Sequence, residues 1–266
     1  MDNKNRSTAD YKSITVRREG AIDWITLNRP AQLNAITQSM FTELYTYFKS
    51  LANDGECRVV VLQGAGRAFC AGMDIKETLN GGDALAGADG KDTLEPLLFD
   101  LVPAMRDCPQ PVIGLINGPA AGGGFAIALA CDVRIASTNA RLLTAFTKVG
   151  MSGCEMGVTF FLPRIVGMGI ATELMYTSRT VDANRALAIG LVSEVVAPEQ
   201  LDEAGRAMAK DMLSATPLGL RRTKEVFNLC LGLTDLKAVM KIEGDTQGKL
   251  ARLYLEERMK NFVDKK

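Results

Sequence analysis

The 266-residue chain contains no histidine. That absence removes Ser-His-Asp and Cys-His nucleophile systems, a histidine-bound zinc and a histidine general base together. Acid–base work must fall to a carboxylate, a tyrosine, a lysine or water. Neither sign of charge is in excess, because 31 Lys and Arg balance 31 Asp and Glu. Nothing therefore points to a nucleic-acid surface or a strongly anionic partner. The six cysteines (Cys57, Cys70, Cys108, Cys131, Cys154, Cys230) form no Cys-x-x-Cys pair. They read as small buried hydrophobes of a reducing compartment, with no metal site and no redox motif. A long apolar run is also missing. The most apolar stretch, Pro111 to Ala136, is broken by Asn117, Pro119 and five glycines, so it is no membrane span. The polar start, Met1 to Arg6, lacks the apolar centre of a signal peptide and is too short and acid-containing for a transit peptide. The expected location is the cytoplasm.

What is present is an ordinary globular mixture, 47% apolar and 23% charged, enough for a core without staples. Ser13–Arg18 and Ile22–Leu27 alternate like two strands around Glu19-Gly20. Thr37 to Leu51 has helical spacing (Met40, Leu44, Tyr47, Leu51), with Thr37 as N-cap. Val59–Leu62 is a continuous apolar run, as expected of a buried parallel strand. Leu94–Met105 reads as helix, Pro111–Ile116 as strand, Gly122–Ala130 as helix and Asp132–Ala136 as strand. This alternation predicts an α/β fold with parallel pairing. Residues 79 to 92, rich in Gly, Ala and Asp, look mobile. From about residue 159 the pattern is helical almost without interruption. The expected organisation is a tail over 1–12, a core over 13–199 and a helical region over 200–266 that makes subunit contacts.

Two Gly-rich loops carry the chemistry. Asn117-Gly-Pro-Ala-Ala-Gly-Gly-Gly-Phe125 follows a buried strand and opens an apolar helix, so its backbone can approach a ligand and aim free N–H groups at it. Tight strand–helix packing explains a Gly triplet equally well. It is no dinucleotide fingerprint, because the Gly-x-Gly-x-x-Gly spacing and the following acid are absent. Arg67-Ala-Phe-Cys-Ala-Gly-Met-Asp-Ile75 also follows a buried strand and sets the amides of Gly72 and Met73 at a strand's carboxyl end, where α/β sheets bind ligands.

Together these loops resemble the crotonase (enoyl-CoA hydratase/isomerase) superfamily, over nearly the whole chain. Leu27-Asn-Arg-Pro-Ala-Gln-Leu-Asn-Ala35 is similar to its adenine-proximal loop, and Ala68–Ile75 and Asn117–Gly124 to its two oxyanion loops. Ala130–Ala136, Leu162–Gly167 and Ala186–Val195 resemble later segments in the same order. The resemblance implies a spiral of ββα turns with a helical C-terminal region, assembled as a trimer or dimer of trimers. It implies that the amides of Met73 and Gly123 bind a thioester oxygen as an enolate forms. Arg67, Ala71, Gly72, Asp74, Ile75, Gly122, Tyr254 and Phe262 would then hold an acyl-CoA substrate, with coenzyme A as part of that substrate and no permanently bound cofactor. On residue type alone, Arg67 is equally a solvated surface residue, and Tyr254 and Phe262 read more readily as core aromatics than as ligand contacts.

The chain departs from that pattern where the resemblance places two catalytic glutamates. Those positions hold Ala126 and Phe146. The remaining candidate is Glu155, in Gly150-Met-Ser-Gly-Cys-Glu-Met-Gly157, near a carboxylate of the dienoyl-CoA isomerases in the same superfamily. On an apolar Gly-rich loop its pKa would rise, fitting it to shuttle a proton; alternatively it is a helix N-terminal acid stabilised by the dipole. Ser152 has no histidine to activate it and reads as a cap. Glu257, where the family often has Lys, reads as a solvated helix position. The expected activity is that of a CoA-thioester lyase or isomerase. A β-dicarbonyl-CoA hydrolase and a non-catalytic acyl-CoA-binding subunit remain alternatives.

Overall fold

A computed structural model describes residues 11–80 and 96–263, the side chains of 78–80, 96–99 and 256–263 excepted. The sequence's two opening strands are β1 (Ile14–Glu19) and β2 (Ile22–Leu27), an antiparallel hairpin in register from Ile14 opposite Leu27 to Glu19 opposite Ile22. Helix α1 (Gln38–Ser50) starts where the Thr37 side chain accepts the Met40 amide at 3.2 Å, the predicted cap. Strand β3 (Val59–Gly64) then pairs parallel to β2. After α2 (Ile75–Asn80) and α3 (Pro96–Asp107), β4 (Val112–Ile116) pairs parallel to β3.

From β4 the chain makes two similar turns. Strand β5 (Pro119–Ala121) and helix α4 (Gly123–Ala130) follow β4, and the chain returns as β6 (Val133–Ser137) beside it. Strand β7 (Arg141–Leu143) then pairs with β5, and helices α5 (Val158–Val166) and α6 (Met168–Thr177) follow. Strand β8 (Val181–Asp182), helix α7 (Ala183–Ala188) and strand β9 (Glu194–Val196) complete this part. The result is a six-stranded sheet ordered β1-β2-β3-β4-β6-β9 and a three-stranded sheet ordered β5-β7-β8. Three helices close the chain: α8 (Leu201–Leu213), α9 (Pro217–Cys230) and α10 (Leu236–Val263).

The continuous apolar run of β3 has a packing reason. Val60 and Leu62 join the larger core with α1, α3 and α4, while Val59 and Val61 join a second cluster with Trp24, Ile113, Leu115 and Ile135. Helix α8 covers that second face, where Gly205 leaves room for Leu115: a Cβ there would lie 2.9 Å from Leu115 Cδ1. A strand buried on both faces has no polar side to display. Helix α9 is fastened by Lys224, almost fully buried, whose ammonium donates to the Met105 and Gln110 carbonyls at 2.9 and 2.8 Å and pairs with Asp132 at 2.9 Å.

The expectation of nearly unbroken helix after residue 159 is corrected by β8 and β9. At two and three residues they are too short to show a period-two signal, and β9 exists because Glu194–Val196 completes the edge of the sheet beside β6. The Gly/Ala/Asp-rich stretch 79–92 lies almost wholly outside the described residues.

Candidate active site

The site is assembled by two short parallel contacts that the first Gly-rich loop makes, one at each end. At its start, Cys70 bridges Ala120: the amides of Phe69 and Cys70 both donate to the Pro119 carbonyl at 3.1 Å, and Ala121 N–H returns to the Cys70 carbonyl at 2.9 Å. The second Gly-rich loop is thereby zipped to the first. A Cβ on Gly124 would overlap the Cys70 carbonyl oxygen, so only glycine permits this approach.

At its end the loop bridges Ile36. Ile36 N–H donates to Gly72 O at 2.7 Å and Asp74 N–H to Ile36 O at 2.9 Å. Both bonds go to the residues flanking Met73, so the Met73 amide faces away from Ile36. Neither the Met73 nor the Gly123 amide has an acceptor among the described residues. Gly72, at φ +93°, makes the turn between them. A Cβ on it would sit 2.8 Å from Ala121 O and 3.6 Å from the Gly123 nitrogen, which measures how closely the two loops meet. Gly123 is the first residue of α4, where helix N–H groups lack intrahelical acceptors and the dipole is positive.

Two amide side chains, Asn34 fully buried and Asn117 partly so, hold the loops in place, and sequence reasoning gave neither of them a role. Asn34 Nδ2 donates to the carbonyls of Ala65, Ala68 and Phe69 at 2.9, 2.8 and 3.2 Å, while its Oδ1 accepts the Arg29 amide at 2.9 Å. Asn117 Nδ2 donates to Gly66 O at 2.9 Å and Ala68 O at 3.2 Å, and its Oδ1 accepts the Gly64 amide at 3.3 Å. The left-handed φ of Asn34, +55°, is a conformation that Asn tolerates better than most residues, the one sequence signal that could have marked it.

Phe146 is 6% exposed, opening the short 3-10 turn Phe146–Val149, and its ring comes within 3.7 Å of where a Gly122 side chain would begin. Ala126 is fully buried on α4. Both positions expected to hold glutamate are thus apolar and enclosed. Glu155 precedes α5, half-buried, and its carboxylate has no partner among the described residues. Burial alone pushes its pKa upward. The next residue, Met156 (φ +47°), places its sulfur 3.3 Å from a Cβ built on Gly123, so Glu155 is one residue from a side chain that touches the second loop. Ser152 Oγ accepts the Cys154 amide at 3.3 Å, a local turn.

The other quoted residues are placed as follows. The Asp74 carboxylate pairs with Arg29 at 3.0 Å, and Ala71 N–H is taken by Leu33 O at 3.0 Å. Arg67 and Ile75 are exposed at the surface, and so is Tyr254 on α10. The side chains of Glu257 and Phe262 lie outside the described residues. Among the described residues no group of His, Cys, Asp and Glu is placed to hold a metal, and no helix is long and apolar enough to cross a membrane.

Residues 17–266 match the enoyl-CoA hydratase/isomerase family. The chain belongs to it. A Mycobacterium leprae protein named probable enoyl-CoA hydratase echA12 is 38% identical over 263 residues, 96% of this chain and 87% of that one. A solved enoyl-CoA hydratase from Bacillus anthracis has a TM-score of 0.84 at 32% identity, covering 94% of this chain and 96% of that chain. A solved monofunctional enoyl CoA isomerase from M. smegmatis has a TM-score of 0.73 at 34% identity, covering 86% and 98%. The α/β architecture, with its helical C-terminal end, is therefore that of the crotonase fold, in an enzyme of the enoyl-CoA hydratase/isomerase kind.

Proposed function

We propose that this member of the family moves a double bond in an enoyl-CoA thioester by proton transfer through a single carboxylate, Glu155. The thioester oxygen sits between the amides of Met73 and Gly123, which stabilise the charge that develops as an enolate forms. One such donor contributes about 3 kcal/mol to a transition state. In a β,γ-enoyl substrate Glu155 removes a proton from the carbon beside the carbonyl, giving a dienolate. The same carboxyl then returns a proton to the γ carbon, leaving the α,β-enoyl thioester and a regenerated carboxylate.

The observation that supports this reading is a half-buried Glu155 with no partner among the described residues, in a chain that holds apolar Ala126 and Phe146 where the two glutamates were expected. Adding water needs a group to hold and activate it as well as one to protonate carbon. A double-bond shift needs only one base that can also act as acid. A raised pKa suits that double duty, and its direction argues against the dipole-stabilised alternative, which would lower it.

For the rest of the substrate, Arg67 is exposed and able to meet a CoA phosphate, and Ala71, Gly72, Asp74, Ile75 and Gly122 belong to the two loops, with Tyr254 exposed on α10. The apolar residues that α9 and α10 expose, among them Phe227, Leu236 and Met240, are available for subunit contacts, and a trimer or dimer of trimers is the assembly we propose.

The test is an absorbance assay with a β,γ-enoyl-CoA beside crotonyl-CoA. Appearance of the conjugated thioester, with slower or no loss of crotonyl-CoA, is the expected result. Rapid crotonyl-CoA hydration would favour one-carboxylate hydration instead. Release of free CoA from β-dicarbonyl thioesters would favour the hydrolase, and tight CoA binding without any turnover a binding subunit.

A further inference from the structure

Arg29 spans both strands of the contact that aims the Met73 amide. Its Nη1 donates to the Ala35 carbonyl at 2.5 Å and stands 3.0 Å from Asp74 Oδ2. Ala35 and Asp74 are the neighbours of Ile36 and Met73, the bridged pair itself. One guanidinium is thus fastened to each side of a bridge only one residue long. Such a bridge has two hydrogen bonds and no further ladder to fix its register.

The clasp is anchored at both ends. Arg29 N–H donates to Asn34 Oδ1 at 2.9 Å, and Asn34 in turn holds the carbonyls of Ala65, Ala68 and Phe69. Asp74 Oδ1 accepts the Glu77 amide at 3.3 Å, at the start of α2. Arg29 has four-fifths of its side chain covered, and Asp74 more.

We propose that Arg29 is a positioning residue: through Asp74 and Ala35 it fixes the register of the Ile36–Met73 bridge and hence the direction of the Met73 amide. The proposal rests on Met73 being an oxyanion donor. The Ile36–Met73 bridge and its loops are also held by Asn34, Asn117 and the Cys70–Ala120 contact, so losing one ion pair leaves the fold intact. Its effect should therefore show in catalysis more than in melting, because small displacements of a polarising group cost large factors in rate.

The experiment compares Arg29→Met, Arg29→Lys, Asp74→Asn and the double variant Arg29→Met/Asp74→Asn. The first readout is the absorbance of a bound push–pull cinnamoyl-CoA thioester, which moves to longer wavelength when its carbonyl oxygen accepts hydrogen bonds. The second is kcat and KM for a β,γ-enoyl-CoA. The expected result is a smaller red shift in Arg29→Met and Asp74→Asn, with kcat down roughly tenfold to a hundredfold and KM little changed. The double variant should be no worse than either single one, because one linkage is lost in all three. Arg29→Lys, which ends in a single nitrogen like the Nη1 that serves both acceptors but on a shorter stem, should recover part of the shift.

Undiminished red shifts in Arg29→Met and Asp74→Asn overturn the proposal. So does a loss seen only in KM or only in melting temperature. If the wild type binds the probe with no red shift, the oxyanion reading itself falls, and this inference with it. The near-isosteric Asp74→Asn keeps the test decisive should Arg29→Met fail to fold.

Discussion

The sulfur of Met156 lies 3.3 Å from the point where a side chain on Gly123 would begin. The loop bearing the lone carboxylate is therefore in contact with the residue whose amide opens α4. On the other side, Ile36 Cδ1 lies 3.1 Å from the same point. Both neighbours are ends of flexible side chains, able to yield.

Gly123→Ala should consequently fold, with a melting temperature within a few degrees of wild type, while kcat drops at least tenfold as the methyl group crowds the amide. Gly124→Ala meets the rigid Cys70 carbonyl instead and should destabilise the protein by about 3 kcal/mol or more. Thermal melts and kinetics on the two variants check the contrast; equal damage from both would contradict it.

Glu155→Gln should lose activity by about 10²- to 10⁴-fold and gain stability at neutral pH. The sign follows from the raised pKa: the folded protein binds the proton more tightly than the unfolded chain, so the ionised form is penalised on folding. That penalty appears as pH rises through the ordinary value of 4.5, and the gain from Gln should vanish below it. Melting curves of both proteins across this range measure it.

Asp54 shows the opposite sign. Burial opposes its ionisation, but the amides of Cys57 and Glu56 and the Arg18 guanidinium at 2.7 Å hold its pKa well below 3.8. Its contribution is present above pH 3.8 and is lost as pH falls through the lower folded value. Asp54→Asn should cost about 1–3 kcal/mol at pH 7, because it removes the charge that accepts from Arg18 and from the Glu56 and Cys57 amides, although Arg18 keeps Asp23 and Glu56. The difference from wild type should shrink in acid, as denaturant titrations at pH 7 and pH 3 would show.

Asn34→Asp keeps the shape of the side chain and its acceptor but removes every donor to Ala65, Ala68 and Phe69. A loss of about 2–4 kcal/mol is expected, from buried carbonyls left unsatisfied and a carboxylate facing them. The same variant should weaken thioester binding, because those carbonyls belong to the loop that carries Met73. Wild-type stability in Asn34→Asp would contradict the clamp.

Much of this was legible in the sequence because its causes are local. Thr37 caps α1 by bonding three residues ahead, and the run Val59–Leu62 reports its own burial on both faces. The two Gly-rich loops were recognisable from composition, and the structure brings them together. What spacing could not show were contacts across the chain: Asn34 holding carbonyls over thirty residues away, and Arg29 reaching Asp74. Strand β9 was invisible because three residues have no period, and it is defined only by its partner β6. The raised pKa of Glu155 was foreseeable in direction, from its apolar neighbours, but not its lack of a partner.

The central claim, that Glu155 alone moves the proton, is tested most directly by turning over a β,γ-enoyl-CoA in D₂O with wild type and Glu155→Gln. Wild type should form the conjugated product with deuterium at the γ carbon, less than one full equivalent because a single carboxyl carries some of the original proton across. Glu155→Gln should slow both product formation and exchange at the carbon beside the carbonyl by the same factor, about 10²- to 10⁴-fold. Product formation and exchange at wild-type rates in Glu155→Gln would contradict the account.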